Sequence, residues 1–163
     1  MQSGKDGPMK KTFLGTALAV TATAVAGSLS VDATSAWYRG LRKPSWQPPP
    51  PAFGLVWTPL YATIAYAGGR ALSHGGDGSR PALARALGAN LLLNAAWSAL
   101  FFRARSPKLA LAEILALNAS NALLVSRAGR ADRRAGLLLL PYAGWTAFAT
   151  ALNAAIVRHN PDA

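Results

Sequence analysis

Five long apolar runs, separated by polar, glycine-rich or proline-rich connections, set the layout of this chain. Residues 12–31 carry no charge for about twenty positions, enough at about 1.5 Å per residue to cross a hydrocarbon core of about 30 Å. Comparable runs occupy 53–72, 82–102, 108–126 and 135–157. The pattern predicts an all-α, polytopic membrane protein, a bundle of five transmembrane helices forming a single domain over 12–157. A polar, basic tail (1–11) precedes it and a short tail (158–163) follows. A cleaved signal peptide is the other reading of the first run, with its basic start and the small residues near Ala33–Ala36. The run is longer than a signal core, and Gly15, Ala19, Thr23 and Gly27 recur every four residues, a stripe on which a second helix can pack closely. It is therefore read as a retained helix.

The interruption between the first two runs, 32–52, is the only long one. Trp37 to Tyr61 holds three of the five tryptophans and six of the eleven prolines. Each proline fixes φ and removes a backbone donor, so the prolines predict the absence of regular helix here. Disordered linkers are poor in aromatics, whereas this segment is rich in them. It reads either as a stiff lid over a cavity or as a connector whose tryptophans sit at the membrane interface, the expectation for Trp37. Pro59 is expected near the start of the second helix, where a missing donor is tolerated, and Pro141 to kink the fifth or set its boundary.

Polar side chains inside the apolar runs are few and patterned. Asn90, Asn94, Trp97 and Phe101 share one face of the third helix, and Tyr142, Trp145, Ala149 and Asn153 one side of the fifth. Amides facing lipid are costly, so the first stripe should point inward, either to bond other helices or to line a ligand cavity. Trp57 and Tyr61 lie on one face of the second helix. If these faces converge, they bound a cavity with flat apolar walls and a few amide donors, suited to a large planar ligand. Arg42 and Lys43 are placed to meet carboxylates at its edge. Glu113 is the only acid within an apolar run. It is expected to pair with Arg103, Arg105 or Lys108, and otherwise marks a functional position.

Composition narrows the classes. Apolar residues make up 52% and charged residues 14% of the 163, which is unusual for a soluble domain. The net charge of +11 lies in connections rather than along one helix face, which argues against nucleic-acid binding. Without cysteine, and with only His74 and His159 at segment ends, no disulfide, thiolate site or histidine metal centre is expected. Lys and Arg are more numerous on the N-terminal side, which places the N-terminus in the cytoplasm.

The stretch WYRGLRKPSWQPPPPAFGLVWTPLY (37–61) resembles the WY..L.KP.W.PP...F..VW..LY pattern of the TspO/MBR family, the tryptophan-rich sensory or translocator proteins. LNAAWSALFF (93–102) and PYAGWTAFATALN (141–153) match the same family in order. The resemblance implies a five-helix protein of a bacterial cell membrane, often homodimeric. It also implies a tetrapyrrole ligand (a porphyrin or haem), no required cofactor, and a sensory, receptor or transport role. The alternative it raises is light- or oxygen-dependent porphyrin degradation, with Trp57 and Trp145 as the reactive candidates. Ligand-binding positions expected here are Trp46, Pro48, Pro49, Trp57, Tyr61, Asn90, Asn94, Trp97, Tyr142, Trp145 and Ala149, with no metal ligand. Pro50 and Pro51 stand where many members carry an aromatic. Ala154 replaces the tyrosine of the animal cholesterol motif, so cholesterol binding is expected to be weak.

Overall fold

Pro50 and Pro51 open a helix rather than blocking one. The computed structural model describes residues 6–163, and no strand occurs among them. The helices are α1 (Asp6–Ser30), α2 (Ala36–Gly40), α3 (Pro50–His74), α4 (Arg80–Ser98), α5 (Pro107–Ala131), α6 (Arg133–Leu138) and α7 (Leu140–His159), with α4 running into a π-helical turn, Ala99–Arg103. Residues 1–5 of the predicted basic tail lie outside the described residues, and from Asp6 the chain is already helical.

The proline-rich stretch is where the sequence reading most needs correction. First-turn residues of a helix have no intrahelical acceptor for their N–H, so Pro50 and Pro51 cost nothing there and pre-set φ. The lid accordingly ends at Pro49, the N-cap, and also contains the short helix α2. The earlier start puts Pro59 inside α3 rather than near its beginning, so the helix loses one backbone bond there. The stretch expected as a loop, 127–134, is helical to Ala131 and broken only at Asp132. That residue has extended backbone and accepts a hydrogen bond from the Arg134 amide on its own side chain. Pro141 does set a boundary: α6 ends at Leu138 and α7 begins with Pro141 in its first turn.

Helix α1 lies against α3 and α4, while α5 contacts α4, α6, α7 and α3. The α1–α3 approach rests on Gly69, where a Cβ would come within 2.4 Å of the Phe13 ring; a Cβ on Gly68 would come within 2.9 Å of Leu87 on α4. Thr16 donates to the Ala65 carbonyl at 3.0 Å across the α1–α3 contact. The buried stripe of α1 is Thr16, Val20, Thr23 and Gly27, so two of the four expected positions, Gly15 and Ala19, face outward. A strict step of four advances 40° past each turn of a 3.6-residue helix, so only alternating steps of four and three stay on one face.

Polarity runs opposite to that of a soluble fold. Leu55 is 76% and Leu92 74% exposed, and Leu14, Leu18, Leu29, Leu115 and Leu137 also face outward. Asn90, Asn94, Asn121, Thr146 and Asn153 are buried. Such a surface fits hydrocarbon, where polar groups must find partners inside the bundle. By length and composition, Met9–Ser30, Pro107–Ala131 and the α6–α7 unit Arg133–His159 are able to cross a membrane. At one end of the bundle, Arg70 holds Asp132 at 2.6 Å, and this hydrogen bond keeps the carboxyl below the ordinary aspartate range.

Candidate ligand site

The inward polar stripes of α4, α5 and α7 meet in one hydrogen-bonded chain of eight side chains. Tyr61 Oη donates to Asn94 Oδ1 (3.0 Å), Asn94 Nδ2 to Tyr142 Oη (3.0 Å), and Tyr142 Oη to Asn90 Oδ1 (3.0 Å). Asn90 Nδ2 then donates to Asn121 Oδ1 (2.6 Å), Asn121 Nδ2 to Thr146 Oγ1 (2.7 Å), and Thr146 Oγ1 to Asn118 Oδ1 (2.9 Å). Asn118 Nδ2 gives to Thr150 Oγ1 (2.7 Å), whose hydroxyl ends the chain on the Thr146 carbonyl (2.8 Å). Each member donates to the next from Tyr61 on α3 to Thr150 on α7, the chain crossing back and forth between α7 and the facing helices α4 and α5. Each amide inside the chain uses both its oxygen and its nitrogen, which is what burial without water requires.

Above the Tyr61 end of this chain sits a set of rings. Trp57 stacks on Tyr61, centroids 5.1 Å apart, and meets Tyr142 edge-on at 6.1 Å. Phe53, one turn before Trp57, stands edge-on to Trp145 at 6.0 Å, and Trp145 lies 5.2 Å from Phe148. Trp46 reaches from the lid to Phe148 at 5.8 Å. Pro48 is half-buried between Trp46 and α3, Pro49 caps α3, and Ala149 is half-buried beside Phe148. Trp57, Tyr61, Asn94 and Tyr142 thus form one connected set, and Trp46 and Trp145, with Phe53 and Phe148, form a second; Trp57 and Trp145 both pack on the same buried core.

Trp97 belongs to a neighbouring cluster. Its ring stacks on Phe101 at 5.1 Å and its indole N–H donates to Asn153 at 3.1 Å, which in turn donates to the Pro107 carbonyl. Trp37 and Tyr38 close on Phe101 edge-on at 5.8 and 6.3 Å, so Trp37, expected in an interfacial belt, is half-buried against the bundle. Phe53 packs on this cluster as well and links it to Trp145.

The lid's cations do not extend toward a ligand as the sequence suggests. Lys43 donates to the carbonyls of Tyr38 (2.6 Å) and Leu41 (3.2 Å) beneath the Tyr38 ring, and burial pushes its pKa below the usual lysine value. It reinforces the end of α2, adding to the Leu41 N–H that already donates to the Tyr38 carbonyl. Arg42 is held through its backbone: its N–H donates to Asn160 Oδ1 and its carbonyl accepts from Asn160 Nδ2, both at 2.9 Å. The lid is therefore clamped to the end of α7.

Glu113 forms none of the pairs expected of it. Both its carboxylate oxygens are buried without a partner. Arg103 donates to the Leu29 carbonyl at 2.8 Å and Lys108 to that of Pro161, drawing both away. The antiparallel α4–α5 register, set by Arg127 on Ala82 and Asn90 on Asn121, puts Glu113 level with Trp97.

Sequence reasoning passed over Asn118, Asn121, Thr146, Thr150 and Phe148. The signal was present for the polar four. Asn118 and Asn121 are three apart, as a helix face requires, and Thr146 and Thr150 are four apart beside the stripe already noted. Phe148 carried none, because a lone aromatic in an apolar run has no distinguishing spacing.

A profile of the TspO/MBR family matches residues 15–158. The tryptophan-rich protein TspO of Chlorobaculum tepidum is 36% identical over 158 residues, 94% of this chain and all of its own length. That of Archaeoglobus fulgidus is 39% identical over 141 residues, 85% of this chain and 90% of its own. The human translocator protein is 36% identical over 127 residues, 76% of this chain and 75% of its own. With lid, polar stripes and aromatic faces all inside the matched region, this chain belongs to the TspO/MBR family of membrane proteins.

Proposed function

We propose that this protein crosses the membrane five times, with α3 and α4 as the second and third spans, and binds a tetrapyrrole between α3, α7 and the lid. Its role would be sensory, regulatory or in transport. The observation that carries the reading is the run of ring contacts from Trp57 through Tyr142 and from Phe53 through Trp145 to Trp46. It supplies flat apolar walls from three parts of the chain, and the Tyr61–Asn94 pair gives a polar end of that surface a defined direction. A planar macrocycle is held by stacking on such walls and oriented by sparse polar contacts. The edge-on contact of Trp46 with Phe148 also means that the lid must separate from α7, and that of Phe53 with Trp145 that α3 must part from α7, to admit one.

Porphyrin titration of the purified protein, followed by tryptophan fluorescence, tests this. Removing either ring with Trp57→Ala or Trp145→Ala should cost about 1–3 kcal/mol of binding, by analogy with base–aromatic stacking. Unchanged affinity in both variants would remove these residues from the site. The degradative alternative needs an oxidisable indole, which Trp→Phe removes while keeping apolar bulk. Porphyrin absorbance followed under light in Trp57→Phe and Trp145→Phe separates the two. A binding protein leaves the pigment's fate unchanged, whereas a degrading one loses product with much of the binding intact.

A further inference from the structure

Away from the aromatic walls, where α3 turns into α4 beside the end of α5, lies a cavity of about 340 Å³. Its lining includes His74, Ser79, Ala82, Leu83, Arg127 and Arg130. That volume is at the small end of the range for ligand sites, about 300–1,000 Å³. Among the described residues no carboxylate lines it. Asp132, the nearest acid along α5, is committed to Arg70 at 2.6 Å, and Asp77 of the same turn is exposed and outside the lining.

The cations are placed and only partly used. Arg127 Nη1 donates to the Ala82 carbonyl at 2.9 Å, which anchors the guanidinium at the first turn of α4 and leaves its other donors free. Arg130, one turn further, makes no ion pair among the described residues. His74 is tied at Nδ1 to the Arg70 carbonyl (2.8 Å), so its Nε2 edge is the one without a partner. Helix α4 begins here with no side-chain cap; the Arg80 N–H donates to the Gly76 carbonyl (3.0 Å) and Pro81 has none, so the start contributes through its dipole rather than a row of free N–H groups. Two guanidinium groups and the start of α4 make a cationic rim, and Ala82 and the buried Leu83 make an apolar floor.

We propose that this cavity binds a phosphate group, presented by an anionic phospholipid of the adjoining leaflet. Guanidinium pairs match phosphate oxygens bidentately, and a helix start adds partial positive charge. The apolar floor suits the glycerol and first methylenes of a lipid better than a free ion. Thr12, bonded to Arg80 at 2.9 Å, brings the start of α1 with Lys10 and Lys11 to the same end of the bundle. Arg133 and Arg134 follow α5 there, so the surroundings attract an anionic leaflet as well.

The test is native mass spectrometry of the full-length protein in detergent with added phosphatidylglycerol, phosphatidylcholine or inorganic phosphate. Wild type, Arg127→Gln, Arg130→Gln and, from the opposite end, Arg158→Gln are compared, with helicity checked by circular dichroism. Arg130 is exposed, so its variant keeps the fold even if Arg127→Gln loosens the α4–α5 contact. Preference for phosphatidylglycerol over phosphatidylcholine is expected in wild type and Arg158→Gln, and should fall about fivefold per arginine removed. If inorganic phosphate binds instead and the same two variants lose it, the phosphate site stands and its source is soluble. Phosphatidylglycerol binding that both variants leave unchanged, or that Arg158→Gln weakens equally, overturns the proposal.

Discussion

Tyr142 shows what single residues do in this bundle. Its hydroxyl accepts from Asn94 and donates to Asn90, and it is 1% exposed. Phenylalanine keeps the ring against Trp57 but orphans two buried amides at once. A lost hydrogen bond between membrane helices averages only about 0.6 kcal/mol, because an unfolded chain in lipid finds other partners. An orphaned buried polar group costs more, about 1–3 kcal/mol. Asn94 and Asn90 have their remaining partners fixed, so the larger figure applies. Tyr142→Phe should lower stability by about 1–3 kcal/mol in reversible unfolding by SDS in mixed micelles. An unmoved midpoint would mean that the amides re-pair locally. The inward direction of Asn90 and Asn94 was legible from spacing alone, since amides three or four apart have one face to share. Their partners were not, because which helices meet is a property of the tertiary packing. Glu113 shows the same limit. Proximity in sequence to Arg103 and Lys108 suggested a pair, but those cations reach Leu29 and Pro161 instead.

Among the elements, the α5–α6–α7 corner shows how small residues set geometry. Gly136 of α6 faces Gly129 of α5 so closely that a Cβ on Gly136 would stand 2.7 Å from the Gly129 Cα and 3.2 Å from the Val125 carbonyl oxygen. The obstacle is backbone, which cannot rotate aside as a side-chain tip can. Gly136→Ala should therefore push α6 from α5 and destabilise by about 1–3 kcal/mol, the usual cost of overpacking. Gly144→Ala, where no atom lies within 4 Å, should be neutral or mildly stabilising as a helix substitution. Equal effects of the two, measured by thermal unfolding in detergent, would refute the close-approach account. Element boundaries were partly legible at Pro141, which the sequence left as a kink or a boundary and the structure makes a boundary. They were misread where proline has two meanings: the residues that forbid a helix interior are also favoured in its first turn, and composition alone does not say which applies at Pro50. The break at Asp132 was likewise hidden, because the polar run 127–134 reads as a loop when it is helix interrupted at one residue.

At the scale of the whole molecule, cross-links between distant segments assign each loop to an end of the bundle. Arg80 on Thr12 joins the α3–α4 turn to the start of α1. Arg103 on Leu29 joins the far end of α4 to the end of α1, and the two-way Asn160–Arg42 clamp joins the end of α7 to the lid. The start of α1 and the end of α7 therefore lie at opposite ends, as the proposed five crossings require. The end holding the start of α1 also carries Arg70, Arg80, Arg127, Arg130, Arg133 and Arg134, while the lid end carries Arg39, Arg42, Lys43, Arg103, Arg105, Lys108 and Arg158. With Lys10 and Lys11 the first group holds eight basic residues against seven, a bias of one charge toward the N-terminal end, near helix ends where such charges influence orientation. The expected topology has the N-terminus and the phosphate-binding cavity in the cytoplasm, and the lid and C-terminus outside. Fused after Ala163, alkaline phosphatase should be active and green fluorescent protein dark. The converse pair of readings would invert the molecule, and would put the cavity of Arg127 and Arg130 against the external leaflet.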